Sequence, residues 1–274
     1  MPLYHVVVLA VVQGITEFLP ISSSAHLALA PWLLGWPDQS LVFDIALHLG
    51  TLAAVLTCFW RDWVQILAQG LGLRWGLDEE LRRNPWLLWL MAAATIPVGV
   101  AGLVFERYAE NVWRFNRLLI GGMLIVVGLL MLVGEKIGRR SKGIDRVGFF
   151  DAIIIGIAQS FAVIPGTSRS GATITAGLFR DLHRPAAARF SFLIATPAIA
   201  AAAAKATWDL LKHGGVPADM RLPFALGIVL SGITGCAVIA GLLRYLRSHT
   251  LKFFVYYRVI FGIIVIALAT IFRH

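Results

Sequence analysis

The sequence contains few charged residues. Only 14% of its 274 residues are Asp, Glu, Lys or Arg, and 58% are hydrophobic. A soluble globular domain carries about 25% charged residues, so this composition excludes an ordinary water-soluble protein. The mean hydropathy of +0.79 indicates a polytopic helical membrane protein, since each crossing of the bilayer needs a long apolar run. The lipid bilayer is therefore a predicted partner.

Acidic residues and cysteines are also scarce. The 15 acidic residues against 24 basic ones leave a net charge of +9. The basic residues lie in short loops between apolar runs, where membrane orientation explains them better than nucleic-acid binding does. Cys58 and Cys236 each lie inside an apolar run and indicate neither a disulfide nor a metal site. Because of this placement of the basic residues we expect no nucleic-acid partner. Residues 1–5 contain no Lys or Arg, so we also expect no cleavable signal peptide.

Eight apolar regions divide the chain. Two of them, residues 3–35 and 149–180, are interrupted by Pro20 with its serines and by Pro165-Gly166, and their limbs are mostly too short to span. We predict that each is a re-entrant helical hairpin whose tip faces an internal, hydrated site. The other six are long enough to cross as helices, at about twenty residues each: 41–59, 87–105, 118–135, 187–205, 223–243 and 253–272.

A hairpin followed by three spans occurs twice. We predict a single all-α integral membrane domain over residues 1–274, built from repeats at 1–140 and 141–274, in which Leu19–Ser23 resembles Ile164–Ser168. Three is an odd number, so the second unit enters from the opposite side, giving an inverted repeat. Fourteen Lys and Arg residues fall on the predicted cytoplasmic side and seven on the other, which predicts that both termini face outward.

Two polar strings lie in the interrupted regions: Gln13–Glu17 continuing to Ser22–His26, and Pro165–Gly171. The first string places Gln13 and Glu17 four residues apart, on one face of a helical limb. A carboxylate at membrane depth is unfavourable unless it is paired, hydrated or used. Such an oxygen-rich face suits a hard divalent cation, Mg²⁺ or Ca²⁺. An ion pair between Glu17 and an arginine explains the same spacing equally well.

The helix that restarts after Pro20 is expected to be capped by Ser22 or Ser23, with His26 in its opening turn. In the second string Thr167 or Ser168 is the expected cap, and Arg169 follows in the first turn. Two helix N-termini, an arginine and several hydroxyls directed at one point predict an anion site, most plausibly for phosphate. The predicted substrate-binding set is Ser22, Ser24, Thr167, Ser168, Ser170 and Thr173.

Each of these residues taken alone also fits a packing role between membrane helices. Their joint placement at two converging tips favours a site that has a nucleophile, a proton-transfer group and charge stabilisation. Asp44 and His48 lie four residues apart in the first span, a spacing that would allow a pair lining the same cavity. Helix–helix hydrogen bonding is the commoner explanation for such a pair.

At these motifs the chain resembles the undecaprenyl pyrophosphate phosphatase family of bacterial inner membranes, which is associated with bacitracin resistance. The resemblance covers essentially the whole chain and rests on Gln13-x-x-x-Glu17, on Phe18–His26 and on Pro165–Gly171. It implies removal of the terminal phosphate of undecaprenyl pyrophosphate in lipid-carrier recycling. It also implies a divalent cation and an active site open to the periplasm, and it allows a homodimer.

Position by position, the resemblance implies that Glu17 is the acidic residue of the pattern, Ser23 the nucleophile, His26 the essential histidine and Arg169 the phosphate clamp. Gln13 stands where the pattern also accepts an acid, so the proposed metal pair of Gln13 and Glu17 has one charge fewer. The expected route is a phosphoserine at Ser23, with His26 taking the proton. Attack by His26 or by water is the alternative route, and a transporter or flippase for a phosphorylated metabolite or lipid is the alternative function.

Overall fold

A computed structural model describes residues 1–73 and 75–271, apart from the side chains of Leu41 and Glu110. These residues form helices joined by turns and no β-strand, which confirms the all-α class. Arg74, Arg273 and the last residue of the final predicted span lie outside the described residues. The helices are α1 (Leu3–Phe18), α2 (Ser23–Leu34), α3 (Leu41–Cys58), α4 (Trp60–Gly70), α5 (Glu79–Arg82), α6 (Leu87–Tyr108), α7 (Arg117–Ile137), α8 (Phe149–Ser160), α9 (Arg169–Phe179), α10 (Arg184–Lys212), α11 (Arg221–Tyr245) and α12 (Lys252–Ile271).

The predicted spans correspond to helices. Helices α6, α7, α10, α11 and α12 are each long and apolar enough to cross a membrane, and α3 with α4 makes a sixth candidate that bends by 71°. The bend lies at Phe59, where the predicted span 41–59 ends and α4 begins. The chain is therefore a polytopic membrane protein.

Helix α7 shows how the two hairpins meet. Near its beginning, Arg117 lies over the ring of Trp32, at the end of α2, with 4.5 Å between the guanidinium carbon and the ring centroid. Near its other end, Gly134 faces Leu178, at the end of α9. Helices α2 and α9 therefore lie along α7 with their N-termini toward each other.

The outer limbs of the hairpins pack against spans, α1 on α11 and α8 on α6. Glycines allow close approach in both pairs. A Cβ on Gly14 would lie 2.6 Å from Thr234 Cβ, and one on Gly156 would lie 2.8 Å from Ala94 Cα. In the predicted repeat α1 corresponds to α8, and α6 corresponds to α11. The pair of α1 and α11 is therefore the counterpart of the pair of α8 and α6, as a repeat requires. The inverted relation of the halves and their boundary near residue 140 stay predictions.

The loops predicted to be cytoplasmic contact one another and form what we call the ion-paired face. Asn84 donates to the Val147 carbonyl across 3.0 Å, and Arg189 lies 2.8 Å from both Asp62 and Asp78. Partial burial raises the pKa of Asp78, but the Leu81 N–H and the Arg189 guanidinium outweigh it and hold this pKa below its usual value. These contacts place the predicted inner loops together on one side of the bundle.

Candidate active site

Two serines begin the inner helices of the hairpins. The Oγ atoms of Ser22 and Ser168 accept hydrogen bonds from the backbone N–H of the third residue in α2 and α9, at 3.4 and 3.0 Å. Both serines have positive φ, 78° and 67°, which non-glycine residues rarely adopt. The resemblance of Leu19–Ser23 to Ile164–Ser168 pairs Ser22 with Thr167. That pairing is wrong by one residue, because the caps place Ser22 and Ser168 in equivalent positions.

Glu17 lies at the centre of the site. Its Oε1 accepts from Arg169 Nη2 at 2.6 Å, and its Oε2 accepts from Ser23 Oγ at 2.6 Å and from Gln13 Nε2 at 3.1 Å. The carboxylate is buried, with 8% of the side chain exposed. The structure thus joins residues 152 positions apart in sequence, at the two tips that were predicted to meet.

Arg169 has donors to spare. Its Nη1 donates to the Ala195 carbonyl at 3.1 Å, and its Nη2 donates to Glu17. A guanidinium has five N–H groups, so three remain for an anionic ligand. Geometry of this kind suits bidentate binding of phosphate oxygens.

Serines also join the two tips directly. Ser170 Oγ donates to the Leu19 carbonyl at 3.0 Å, and the Gly166 N–H donates to Ser24 Oγ at 3.4 Å. Ser24 is exposed, so its hydroxyl lies at the mouth of the site. Ser170 is buried and holds the tips together.

The two threonines of the predicted substrate-binding set differ. The Thr167 hydroxyl is buried at the second tip and has no hydrogen-bond partner, which leaves it available to a ligand. The Thr173 hydroxyl donates to the Arg169 carbonyl at 2.8 Å and lies 2.6 Å from Ser191 Oγ. Thr173 therefore serves the packing of α9 on α10, and the structure does not bring its hydroxyl to the site.

His26 faces α12. Its Nδ1 donates to the Ser22 carbonyl at 2.7 Å, so Nε2 carries the lone pair that accepts from Tyr257 O–H at 2.6 Å. The ring also stacks on Phe261 at 4.9 Å between centroids. Among the described residues no hydrogen bond joins His26 to Ser23, and the acceptor of the Ser23 proton is Glu17.

The Asp44 and His48 side chains do not pair with each other, so the interpretation of the two residues as a pair lining the cavity does not hold. His48 Nδ1 donates to the backbone carbonyl of Asp44 at 2.8 Å. The Asp44 carboxylate instead accepts from Arg114 at 3.0 Å and from Gln39 at 3.1 Å. The long Arg114 side chain reaches Asp44 from a loop distant in sequence, which the four-residue spacing cannot reveal.

Comparison with known proteins identifies the family of the chain. A family model described as bacitracin resistance protein BacA matches residues 6–264. The chain belongs to this family. Three relatives named undecaprenyl-diphosphatase come from Moorella thermoacetica, Thermodesulfovibrio yellowstonii and Thermomicrobium roseum. Their identities to this chain are 42% over 267 residues, 44% over 268 and 40% over 286. The alignments cover 97%, 97% and 100% of this chain and 98%, 97% and 100% of the relatives.

The sequence analysis of this BacA-family chain missed Arg258. This α12 residue is fully buried and donates to the carbonyls of Pro20, Gly166 and Thr167 at 3.1, 2.9 and 3.0 Å. A signal was present, because an arginine in the middle of an apolar run is a functional candidate by default. Only the two polar strings and the pair of Asp44 and His48 were treated in that way.

The fit of the BacA-family site to a divalent cation rests on Gln13. Its Oε1 is buried and has no hydrogen-bond partner, while its Nε2 contacts the Glu17 carboxylate. A free amide oxygen beside a carboxylate suits a hard cation. In the part of the chain that is described, no group of three or more His, Cys, Asp or Glu side chains is placed to hold a metal ion. Further ligands would therefore come from water and a bound anion.

Proposed function

We propose that the protein hydrolyses undecaprenyl pyrophosphate to undecaprenyl phosphate and inorganic phosphate, which recycles the lipid carrier for cell-wall synthesis. The observation that carries this proposal is the contact of Ser23 and Arg169 with one carboxylate, Glu17, between two opposed helix N-termini. The relatives named undecaprenyl-diphosphatase support it. For the same reason the transporter or flippase alternative is not favoured.

The diphosphate group fits the charge of the site. The first-turn N–H groups of α2 and α9 carry the positive ends of two helix dipoles toward each other. Arg169 adds a full positive charge with free donors. An incoming diphosphate competes with Glu17 for Arg169, and this competition releases the carboxylate to act as a base. Thr167 and Ser24 offer hydroxyls at the second tip and at the mouth.

In the first chemical step Ser23 Oγ attacks the terminal phosphorus. The proton of Ser23 passes to Glu17, the bond from phosphorus to the bridging oxygen breaks, and undecaprenyl phosphate leaves with that oxygen. The hydrogen bond of 2.6 Å from Ser23 to Glu17 favours Glu17, in place of His26, as the proton acceptor. Arg169 stabilises the charge on the transferred phosphoryl group.

In the second step water attacks the phosphoserine. The water oxygen joins phosphorus, the bond to Ser23 Oγ breaks, and Glu17 returns its proton to that oxygen. Dihydrogen phosphate is released and the enzyme regains its starting state. Ser22 and Tyr257 hold His26 in one tautomer. Participation of His26 in proton transfer stays a proposal. Direct attack on phosphorus by His26 or by water stays the alternative route.

A divalent cation, Mg²⁺ or Ca²⁺, is part of the proposal. Gln13 Oε1 and the Glu17 carboxylate are the residues that would hold it. When bound, such an ion neutralises charge on the diphosphate. The nucleophile, the base and the phosphate clamp of the proposal are side chains: Ser23, Glu17 and Arg169.

The proposed location is the bacterial inner membrane, with the site open to the periplasm and both termini on that side. The charge asymmetry of the loops and the grouping of the predicted inner loops on the ion-paired face support this orientation. A homodimer stays a proposal.

Phosphate release from a prenyl pyrophosphate by purified protein in detergent tests the function. We expect turnover by the wild type that EDTA abolishes and added cation restores. Glu17→Gln and Arg169→Lys should each lower kcat by at least about 100-fold, because charge stabilisation of the transition state is lost. Asp38→Asn is the control. The Asp38 side chain is exposed, and this variant should retain the wild-type rate.

Covalent labelling tests the nucleophile. A trapped phosphoenzyme should carry phosphate on Ser23 and should be absent from Ser23→Ala. Phosphate on histidine would overturn the assignment to Ser23. Wild-type protein that stays inactive with added cation would overturn the function itself.

A further inference from the structure

Arg258 connects three segments of the chain. All its hydrogen bonds go to backbone carbonyls, two of them on α7 and three on the hairpin tips. The acceptors are Leu124 and Met123 at 3.1 and 3.2 Å, Pro20 at 3.1 Å, and Gly166 and Thr167 at 2.9 and 3.0 Å. No carboxylate among the described residues pairs with it. Its charge is therefore balanced by carbonyl dipoles.

The tips need such a partner. Where a helix is broken at membrane depth, its free carbonyls lack intrahelical donors and must be satisfied by the protein or by water. Pro20 lies two residues before the Ser22 cap, and Thr167 lies directly before the Ser168 cap. One planar guanidinium can bond both places at once because its donors form a rigid fork.

We infer that Arg258 is a positioning residue for the reaction, holding the two tips at the separation at which Ser23 and Arg169 both reach Glu17. The backbone of α9 also approaches it closely, since a Cβ on Gly171 would lie 3.2 Å from Arg258 Nη1. This inference rests on the proposed function. It adds a residue outside both sequence motifs to the machinery of the site.

Arg258 is one of several contacts that join α12 to α7. That pair packs through glycines further along, where a Cβ on Gly262 would lie 2.8 Å from the Gly121 carbonyl. The nearby aliphatic contacts of Leu124 and Val265 are also independent of the guanidinium. We therefore expect the bundle to form without the guanidinium fork, while the tips lose their fixed spacing.

The test compares Arg258→Lys and Arg258→Ala with the wild type in the phosphate-release assay. Arg258→Lys keeps the charge but not the fork, and we expect a folded protein whose kcat falls by about 100-fold, the effect of a misplacement of about 1 Å. KM should change by less than about threefold, since ground-state binding by Arg169 remains. Arg189→Lys is the control, because it alters a half-buried arginine on the ion-paired face, and it should retain kcat.

Chemical rescue separates geometry from charge. Guanidinium ion at a non-denaturing concentration should raise the kcat of Arg258→Ala, and methylammonium should not. Equal rescue by both ions, a wild-type kcat in Arg258→Lys, or a rise in KM at unchanged kcat would each overturn the positioning role. Aggregation of both Arg258 variants beside a folded Arg189→Lys would also overturn it, because Arg258 would then hold the fold. An inactive wild type would instead reject the proposed function.

Discussion

Ser22 and Ser168 occupy the same structural position at the two tips and share an unfavourable backbone conformation. Each has positive φ, which costs about 1–3 kcal/mol for a residue other than glycine. Each also caps a helix through its hydroxyl. The serine side chain therefore offsets part of the strain that its own backbone conformation creates. Strain of this kind clusters at functional sites, and here it adjoins Ser23 and Arg169.

Substitutions at Ser168 can separate strain from capping. Ser168→Gly loses the cap but removes the strain, whereas Ser168→Ala loses the cap and keeps the strain. We expect Ser168→Gly to be the more stable variant, by about 2 kcal/mol in the free energy of unfolding in detergent.

Ser40 provides the matched control, because it caps α3 with an ordinary φ of −69°. The difference between Gly and Ala at Ser40 should be smaller by about 1 kcal/mol, since no strain is relieved there. Equal differences at the two serines would show that the positive φ of Ser168 carries no cost.

At the residue scale, the sequence identified those site residues that lie inside a polar string. Glu17, Ser23 and Arg169 stand out because charge and hydroxyl groups are rare in apolar runs, and the structure joins all three. Arg258 was missed because it lies on a predicted span, outside both polar strings. Thr173 was included because it closely follows the second string, although its hydroxyl bonds to the Arg169 carbonyl and lies against Ser191 Oγ.

At the scale of elements, glycine determines how closely helices approach. Helix α3 packs on α11 where Gly50 faces the Ser231 hydroxyl and the Ile228 carbonyl. A methyl group at Gly50 would meet backbone atoms that cannot move aside. In contrast, a Cβ on Gly99 of α6 meets no atom within 4 Å.

These two glycines predict opposite results. Gly50→Ala should destabilise the protein by about 1–3 kcal/mol or more, as overpacking does. Gly99→Ala should stabilise it by up to about 1 kcal/mol, because alanine is the better helix former. Thermal or denaturant unfolding in one detergent measures both variants. A stable Gly50→Ala would show that α3 and α11 are less tightly packed than the structure indicates.

Helix positions followed from the apolar runs, but helix partners did not. Spans such as α6 and α11 present apolar surfaces of the same period, so periodicity alone cannot choose which hairpin limb packs on which span. The choice depends on contacts such as Gly14 with Thr234 and Gly156 with Ala94, which involve residues distant in sequence. The bend between α3 and α4 was likewise visible only as the end of the predicted span at residue 59.

At the scale of the whole molecule, the bundle has two distinct faces. The ion-paired face includes the turn before α12, where the Leu251 N–H donates to Glu135 at 2.8 Å. On the other side, Met220, which precedes α11, packs against the hydrophobic cluster that contains Val6. Trp36, which follows α2, packs against the same cluster. The termini of the hairpin limbs α1 and α2 therefore share a side with the turn around Ala218.

Cysteine labelling tests which face is periplasmic. In a Cys58→Ala, Cys236→Ala background, we expect Ala218→Cys to react with a membrane-impermeant maleimide in intact spheroplasts, and Ser248→Cys to react only after lysis. Both positions are exposed, so accessibility to the reagent depends on the side of the membrane. The reverse labelling pattern would place the ion-paired face outside and contradict the proposed orientation.

The head-to-head arrangement of α2 and α9 has a consequence for biosynthesis. A nascent chain that has emerged only as far as residue 140 already contains the proposed nucleophile, Ser23, and the proposed base, Glu17, but it lacks the proposed phosphate clamp. Arg169 follows with the second hairpin, and Arg258 arrives with the last helix to be translated. From these proposed roles we expect a translation product that ends before Arg258 to be inert toward lipid-linked phosphates.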